Sequence, residues 1–403
     1  MPPPSDQSVT HATEVIDENR MRPLDWANAL GFCVYASSAA ITPITLLVLA
    51  QELQFSLAFA GTLEVARSLL IVVSLLASGF LAGRLGKARS LGFASLVLAL
   101  GLFAYAVAPS VGLVLLALAV AGAGGGVIEG LINPLVQDQH PLRSGRYLNI
   151  VNGFWSVGVV LTMIGGGELL TREVPWRLLM AGLALVTLAA AAAYLRYADQ
   201  ERGRERIHAG LVWGQSLTIL RAPAFWWFWL MMVIAGGVEG ALTFWGAAYL
   251  QLDFGLSVRA GGIGVAIFGS GMIAGRFLVG LLTPQEGLHR MMLWSTILAA
   301  LATFALPLLP HWLWVYPVLG LAGLGLACLW PSLQSYAAGR LPLDTTMLFI
   351  LLSCGGIPGY ALAAWAMGQV IDGWGFTPGF LMLGGVLVLL ALMLLTVAPR
   401  RVS

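Results

Sequence analysis

Apolar runs of about membrane length follow one another along almost the whole chain, separated by short polar joints. A helix needs about 20 predominantly apolar residues to cross the hydrocarbon core of a bilayer. Such runs fall at 24–50, 57–82, 90–108, 110–136, 147–170 and 176–197, and again at 224–251, 257–282, 290–309, 312–337, 345–371 and 376–398. The pattern predicts an all-α membrane protein with twelve transmembrane helices. The expected organisation is a tail over 1–23, a six-helix bundle over 24–197, a more polar linker over 198–222 and a second six-helix bundle over 223–403. The tail is polar and acidic and lacks the apolar core of a signal peptide, so an uncleaved cytoplasmic segment is expected.

Composition supports this reading and narrows it. The chain is 59% hydrophobic and 10% charged, where a soluble protein carries about 25% charged residues. Its arginines are spread over many short loops, so no basic face for nucleic acid is expected. Cys33, Cys328 and Cys354 fall inside spans and read as small buried hydrophobes. The five histidines show no ligand spacing and no nucleophile stands with a base, so neither a metal site nor an enzyme is expected. Loops this short leave little surface for a receptor or chaperone. The expected partners are a small-molecule substrate and the lipid bilayer, with the chain a monomer and no cofactor.

Orientation follows from the excess of positive charge in cytoplasmic loops. With the N-terminus inside, seventeen arginines and lysines fall in the inner segments, Arg276 and Arg290 among them. Only Arg172, Arg177 and Arg259 fall in the outer loops. Both termini are therefore expected in the cytoplasm, with the chain in the plasma (inner) membrane.

Four charges lie well inside predicted spans: Glu64, Arg67, Glu129 and Glu239. An ionised side chain in hydrocarbon costs about 3 kcal/mol or more, so each is a candidate functional residue. Glu64 and Arg67 are three apart on one helix and can pair with each other, and Arg67 can instead pair with Glu129. Glu129 and Glu239 have no opposite charge one turn away. A carboxyl group buried without a cation can take and release a proton near physiological pH, which is what proton coupling needs. Glu129 sits in the run Ala121 to Pro134, where Gly122, Gly125, Gly126 and Gly130 permit close helix approach, and it shares a helical face with Asn133. Asn133, Asn149, Asn152 and Gln334 offer donors and acceptors to a hydroxyl-rich ligand or, equally, to neighbouring helices. Trp155 and Trp245 can stack on a sugar ring or simply pack, and Tyr249 is a further candidate contact. Sodium is an alternative coupling ion, since carboxylates and carbonyls coordinate it.

The two halves echo each other. Phe80-Leu81-Ala82-Gly83 and Phe277-Leu278-Val279-Gly280 close the second and eighth spans, and Asn133-Pro134 and Trp330-Pro331 interrupt the fourth and tenth, both at an offset of 197 residues. The loop after the second span, with Gly79, Gly83, Arg84, Gly86, Lys87 and Arg89, resembles the cytoplasmic latch signature of the major facilitator superfamily, although Gly83 stands where an aspartate is usual. That resemblance implies two pseudo-symmetric six-helix bundles and transport by alternating access. A narrower one is to the fucose, galactose and glucose proton symporters. It rests on Glu129 with Asn133-Pro134, on Leu148-Asn149 through Asn152-Gly153-Phe154-Trp155, and on Gly237-Val238-Glu239-Gly240 leading to Trp245 and Tyr249. It implies that Glu129 recognises sugar or couples the proton and that Asn149 or Asn152 lines the cavity. The group's mid-helix aspartate in the first span has no counterpart, since the only acid there is Asp25 at the mouth. The expected function is proton-coupled uptake of a monosaccharide-like solute, with proton-driven export of drugs or metabolites as the alternative.

Overall fold

The computed structural model describes residues 20–54, 57–201, 209–256 and 258–397. Its helices are α1 (Pro23–Glu52), α2 (Leu57–Leu85), α3 (Lys87–Val107), α4 (Val111–Gln139), α5 (Ser144–Leu161), α6 (Gly167–Thr171), α7 (Trp176–Tyr197), α8 (Ala209–Arg221), α9 (Pro223–Leu252), α10 (Val258–Leu282), α11 (Leu288–Ala305), α12 (Trp312–Leu326), α13 (Leu329–Arg340), α14 (Thr345–Trp374) and α15 (Phe376–Thr396). A π-helical turn, Thr162–Gly166, carries α5 into α6, and a break at Ala327 and Cys328 separates α12 from α13. Among the described residues ten segments are long and apolar enough to cross a membrane. With α1 at 30 residues and α2 at 29, the arrangement is consistent with twelve crossings. The stretch expected as a polar linker contains a helix of its own, α8, which packs against α2, α9 and α14.

The packing repeats from one half to the other. In the first half α1 packs on α5 and α7, α4 on α2 and α3, and α3 on α7. In the second, α9 packs on α14 and α15, α12 on α10 and α11, and α11 on α15. The correspondence reaches single residues. A Cβ on Gly126 of α4 would strike the Ile71 carbonyl of α2, and a Cβ on Gly323 of α12 would strike the Phe268 carbonyl of α10. Both members of these pairs are related by the 197-residue offset seen in the sequence. In hydrocarbon, helix association depends on such close backbone approach rather than on water exclusion.

The halves meet along α5 with α10, α2 with α14, α4 with α14, and α5 with α13. The end of the molecule carrying the start of α1 and the α2–α3, α4–α5, α10–α11 and α13–α14 connections is called the base below. There Asp25 and His140, both fully buried, meet at 2.8 Å, and Tyr147 stacks on the imidazole with ring centroids 3.5 Å apart. Arg22 of the same corner donates to the Gln139 carbonyl, which ties the start of α1 to the end of α4. Asp25 is thus part of the base packing and lies away from the middle of the membrane.

Replacing Gly126 or Gly323 by Val should destabilise the fold by about 1–3 kcal/mol through overpacking. Gly112→Ala, where nothing lies within 4 Å of an added Cβ, should be neutral. Thermal unfolding of the detergent-solubilised variants checks both; equal melting of all three would refute the close-contact account.

Candidate functional site

Arg276, six residues before the end of α10 at Leu282, organises the middle of the molecule. Its residue is 4% exposed. Proline at 331 cannot donate to the carbonyl four residues back, which is Ala327, so that oxygen is left over by the helix. Arg276 Nε fills the gap at 3.0 Å. Its Nη1 donates across the joint to the Asn152 carbonyl at 3.0 Å and to Ser156 Oγ at 2.8 Å, both on α5. Its Nη2 lies 3.5 Å from Glu239 Oε1 on α9, the long end of hydrogen-bond range.

The placement corrects two expectations. Arg276 is not an inner-loop charge, and without it the inner count falls from seventeen to sixteen, still far above three. Glu239 is also not without a cation, because the helix packing brings Arg276 to it from another span. Glu129, 9% exposed near the middle of α4, is different. It lies within electrostatic reach of Arg276 and Glu239, and no hydrogen bond to it is present among the described residues. Three ionisable groups therefore converge from three helices and both halves.

The predicted amides lie immediately towards the base from this cluster and bond across the joint. Asn133 Nδ2 donates to Gln334 Oε1 at 2.6 Å, and Asn133 Oδ1 accepts from Asn152 Nδ2 at 2.8 Å. Gln334 Nε2 in turn donates to Ser353 Oγ of α14 at 3.1 Å. Asn149 Nδ2 donates to Ser332 Oγ at 2.9 Å. Further down, Ser144 Oγ and Ser335 Oγ are 2.7 Å apart, and the Gly145 N–H donates to Gln285 Oε1 at 2.8 Å. The result is a polar seam between the halves from the base up to Arg276. In this conformation the amides hold helices to one another, which is one of the two roles open to them from the sequence.

Other predicted residues stand apart. Trp155 is half-buried on α5 beside Ser156 and packs against the core. Trp245 donates its Nε1–H to the Ala364 carbonyl of α14 at 2.8 Å. Tyr249 is buried among Phe254, Phe376 and Phe380 with its hydroxyl donating to the Leu306 carbonyl at 2.7 Å. These two are joined to neighbouring helices and are not brought to the charged cluster. The side chains of Glu64 and Arg67 lie outside the described residues.

The latch loop acquires its carboxylates from elsewhere in the chain. Gly86 has φ +85°, a conformation that favours glycine, and so permits the sharp turn from α2 into α3. Lys87 Nζ meets Asp138 Oδ2 at the end of α4 at 2.6 Å. Glu201 accepts from the Lys87 and Ala88 N–H groups at 2.8 and 3.0 Å and so caps the positive end of α3. Arg89 pairs with Asp199 at 3.0 Å. Asp138 also accepts from Thr345 Oγ1 of α14 at 3.3 Å, linking this network to the second half. Gly79 lies against Met347 of α14, whereas Arg84 is exposed.

Arg276, Asp138 and Glu201 were missed as site residues. A guanidinium 55 residues upstream of Pro331 carries no local signal that it will find the freed carbonyl. Six residues inside a predicted span, Arg276 is also within reach of the headgroups, so its position alone does not mark it.

Comparison with known proteins places these features in a wider setting. The family model described as Major Facilitator Superfamily matches residues 28–357. The crystal structure of the transporter FucP in its outward conformation is similar, with a TM-score of 0.76 and 19% identity, covering 94% of this chain and 100% of that one; FucP is the E. coli fucose:proton symporter. The human organic anion transporter MFSD10 also has a TM-score of 0.76, with 15% identity over 94% of this chain and 100% of that one. At these identities the likeness is one of fold. The efflux pump dotC of Dothistroma septosporum is 30% identical over 151 residues, which is 37% of this chain and 26% of the pump. The match therefore spans about a quarter of the pump's length.

Two substitutions test the geometry. Asp138→Asn leaves the Lys87 ammonium, whose side chain is 11% exposed, without its counter-ion, and breaking such a pair should cost about 3 kcal/mol. Arg276→Lys keeps the charge but loses the fork that bonds Ala327, Asn152 and Ser156 at once, and should lower stability by about 2 kcal/mol or more. Thermal melting in detergent reads both, and unchanged melting of Arg276→Lys would show that charge alone suffices.

Proposed function

The chain belongs to the major facilitator superfamily, and on that premise we propose that it is a secondary active transporter that takes up a small neutral polar solute, such as a monosaccharide, together with protons by alternating access. The observation that carries this reading is Glu129: a buried carboxyl group near the middle of a crossing helix, without a hydrogen bond from the described residues, within electrostatic reach of an arginine that joins the halves. Such a group can exchange a proton, and its charge changes the field at Arg276.

The proposed cycle uses the seam. The halves, about 24–197 and 223–403, rock against each other, and the base faces the cytoplasm because arginine and lysine collect there. Closure of the base then corresponds to an outward-facing state. Opening it requires Asn133, Asn149 and Gln334 to give up their side-chain partners across the joint and the Asn152 carbonyl to give up Arg276. The hydroxyls of a bound solute can replace those partners, since amides both donate and accept. Glu239 faces Arg276 Nη2 while the α5 acceptors hold its Nη1, so protonation of either acid changes the field on the arginine that keeps α10 on α5. Latch contacts through Lys87 and Asp138 add a second brace at the base.

A proton-driven exporter is the second reading, favoured by the partial match to an efflux pump. Two acids buried inside crossing helices also suit a lipophilic cation. Direction and substrate class are separated by transport into proteoliposomes with an imposed proton or sodium gradient, over a panel of sugars and cationic dyes.

Glu129→Gln should fold and still exchange solute down its gradient, yet lose proton-driven accumulation. Uphill uptake equal to that of the unsubstituted protein would refute the coupling role. Accumulation driven by sodium instead of protons would reassign the ion.

A further inference from the structure

At the base, beside the lower end of the seam, the α4–α5 loop of the first half meets the α10–α11 loop of the second in a cleft of about 350 Å³ to which the proposed cycle assigns no ligand. Arg143, Arg146, Thr283, Gln285 and Glu286 line it, together with leucines at 142, 281 and 282. Arg143 is the N-cap of α5 and Arg146 lies within its first turn, so two guanidinium groups stand where the helix dipole is already positive. Cations at that end have an unfavourable intrahelical setting unless an anion compensates them.

Two donors in the cleft are left over. Arg146 Nε is buried without a hydrogen-bond partner, and so is Thr283 Oγ1, whose residue is 9% exposed. Gln285 does not serve either of them: its Oε1 accepts from Gly145 N–H and its Nε2 donates to Ser335 Oγ. Glu286 is the one carboxylate lining the cleft, and it is exposed. Against it stand two arginines, so the lining carries a net single positive charge. The two atoms left without a partner, Arg146 Nε and Thr283 Oγ1, are thus donors on a lining of net positive charge, and their complement is an anion with several acceptor oxygens.

The rim tells which anion. Leu142, Leu281 and Leu282 are 74%, 56% and 73% exposed, at the ends of crossing helices where the acyl region gives way to headgroups. A soluble anion would gain nothing from that apolar border. We propose that the cleft binds the phosphodiester headgroup of an anionic phospholipid, with Arg143 and Arg146 holding the phosphate, Thr283 Oγ1 donating to it, and the leucines lying along the acyl chains. One lipid so held touches a loop from each half and braces the closed base.

The test uses the full-length protein in detergent, titrated with short-chain phosphatidylglycerol, with phosphatidylcholine of the same chains and with inorganic phosphate, following the melting temperature. Phosphatidylglycerol should raise it in a saturable way, with little effect of the other two. Arg146→Gln and Thr283→Val should each weaken the apparent affinity, the first by about tenfold. Should Arg146→Gln fail to fold, Arg143→Gln, at an exposed position, gives the same reading. Stabilisation by inorganic phosphate equal to that by phosphatidylglycerol would replace the lipid with a soluble anion and overturn the proposal. So would equal responses to the two lipids, or an affinity for phosphatidylglycerol that the arginine substitution leaves unchanged.

Discussion

A guanidinium inside a membrane bundle must find acceptors for its donors, and the structure depends on how Arg276 does so. Its five N–H groups cannot be turned off by deprotonation. In water they would be solvated; here backbone and side-chain oxygens replace the water. One acceptor comes from a helix defect, the Ala327 carbonyl left free by Pro331. Two more come from the opposite half, at Asn152 and Ser156. The arginine therefore cannot be satisfied by its own bundle alone. Joining α10 to α5 is part of the way its charge is tolerated.

The polar seam extends the same logic towards the base. Each amide or hydroxyl in it would be costly if left unpaired in a dry joint, so closing the base pairs groups from the two halves in one step. A joint built this way resists partial opening, because separating one rung exposes its neighbours. It is also reversible, since every rung is a neutral hydrogen bond that water or a hydroxylated solute can replace at small net difference. An apolar joint of the same area would lack that exchange with a polar ligand.

Much of the fold was legible because the bilayer imposes a length and a composition on every crossing. The repeat was legible too: the 197-residue offset found at Phe80 and Phe277 reappears in the paired contacts of Gly126 with Ile71 and Gly323 with Phe268. Glu129 and Glu239 could be singled out because a charge in an apolar run stands out without any tertiary knowledge. Arg276 could not, because six residues from a helix end a cation can equally reach the headgroups. Asp138 and Glu201 were hidden for a related reason: the loss of the usual acid at Gly83 is visible in sequence, but its replacement comes from the end of α4 and from the residues after α7. Trp245 and Tyr249 show the opposite limit. Aromatic type and span position fit a ligand contact, and only the packing of α14 and α15 shows where their polar atoms are used.

The scaffold is two-fold, but its chemistry is one-sided. Under the 197-residue offset, Arg276 corresponds to Gly79, Glu129 to Leu326 and Glu239 to Thr42. The two equivalent joints between the halves consequently differ. At α5 with α10 an arginine and a row of amides must exchange partners whenever the joint opens. At α2 with α14 the same position is a glycine against the flexible side chain of Met347, a contact without directional bonds that can slide at little cost. Rocking of the halves would therefore pivot over the apolar joint and register its energetic state at the polar one. On the proposed proton-coupled reading, that division would put any dependence on proton binding at α5 and α10, beside Arg276 with Glu129 and Glu239 in reach, and the asymmetry of the charges within symmetric helices would give the motion a controllable side.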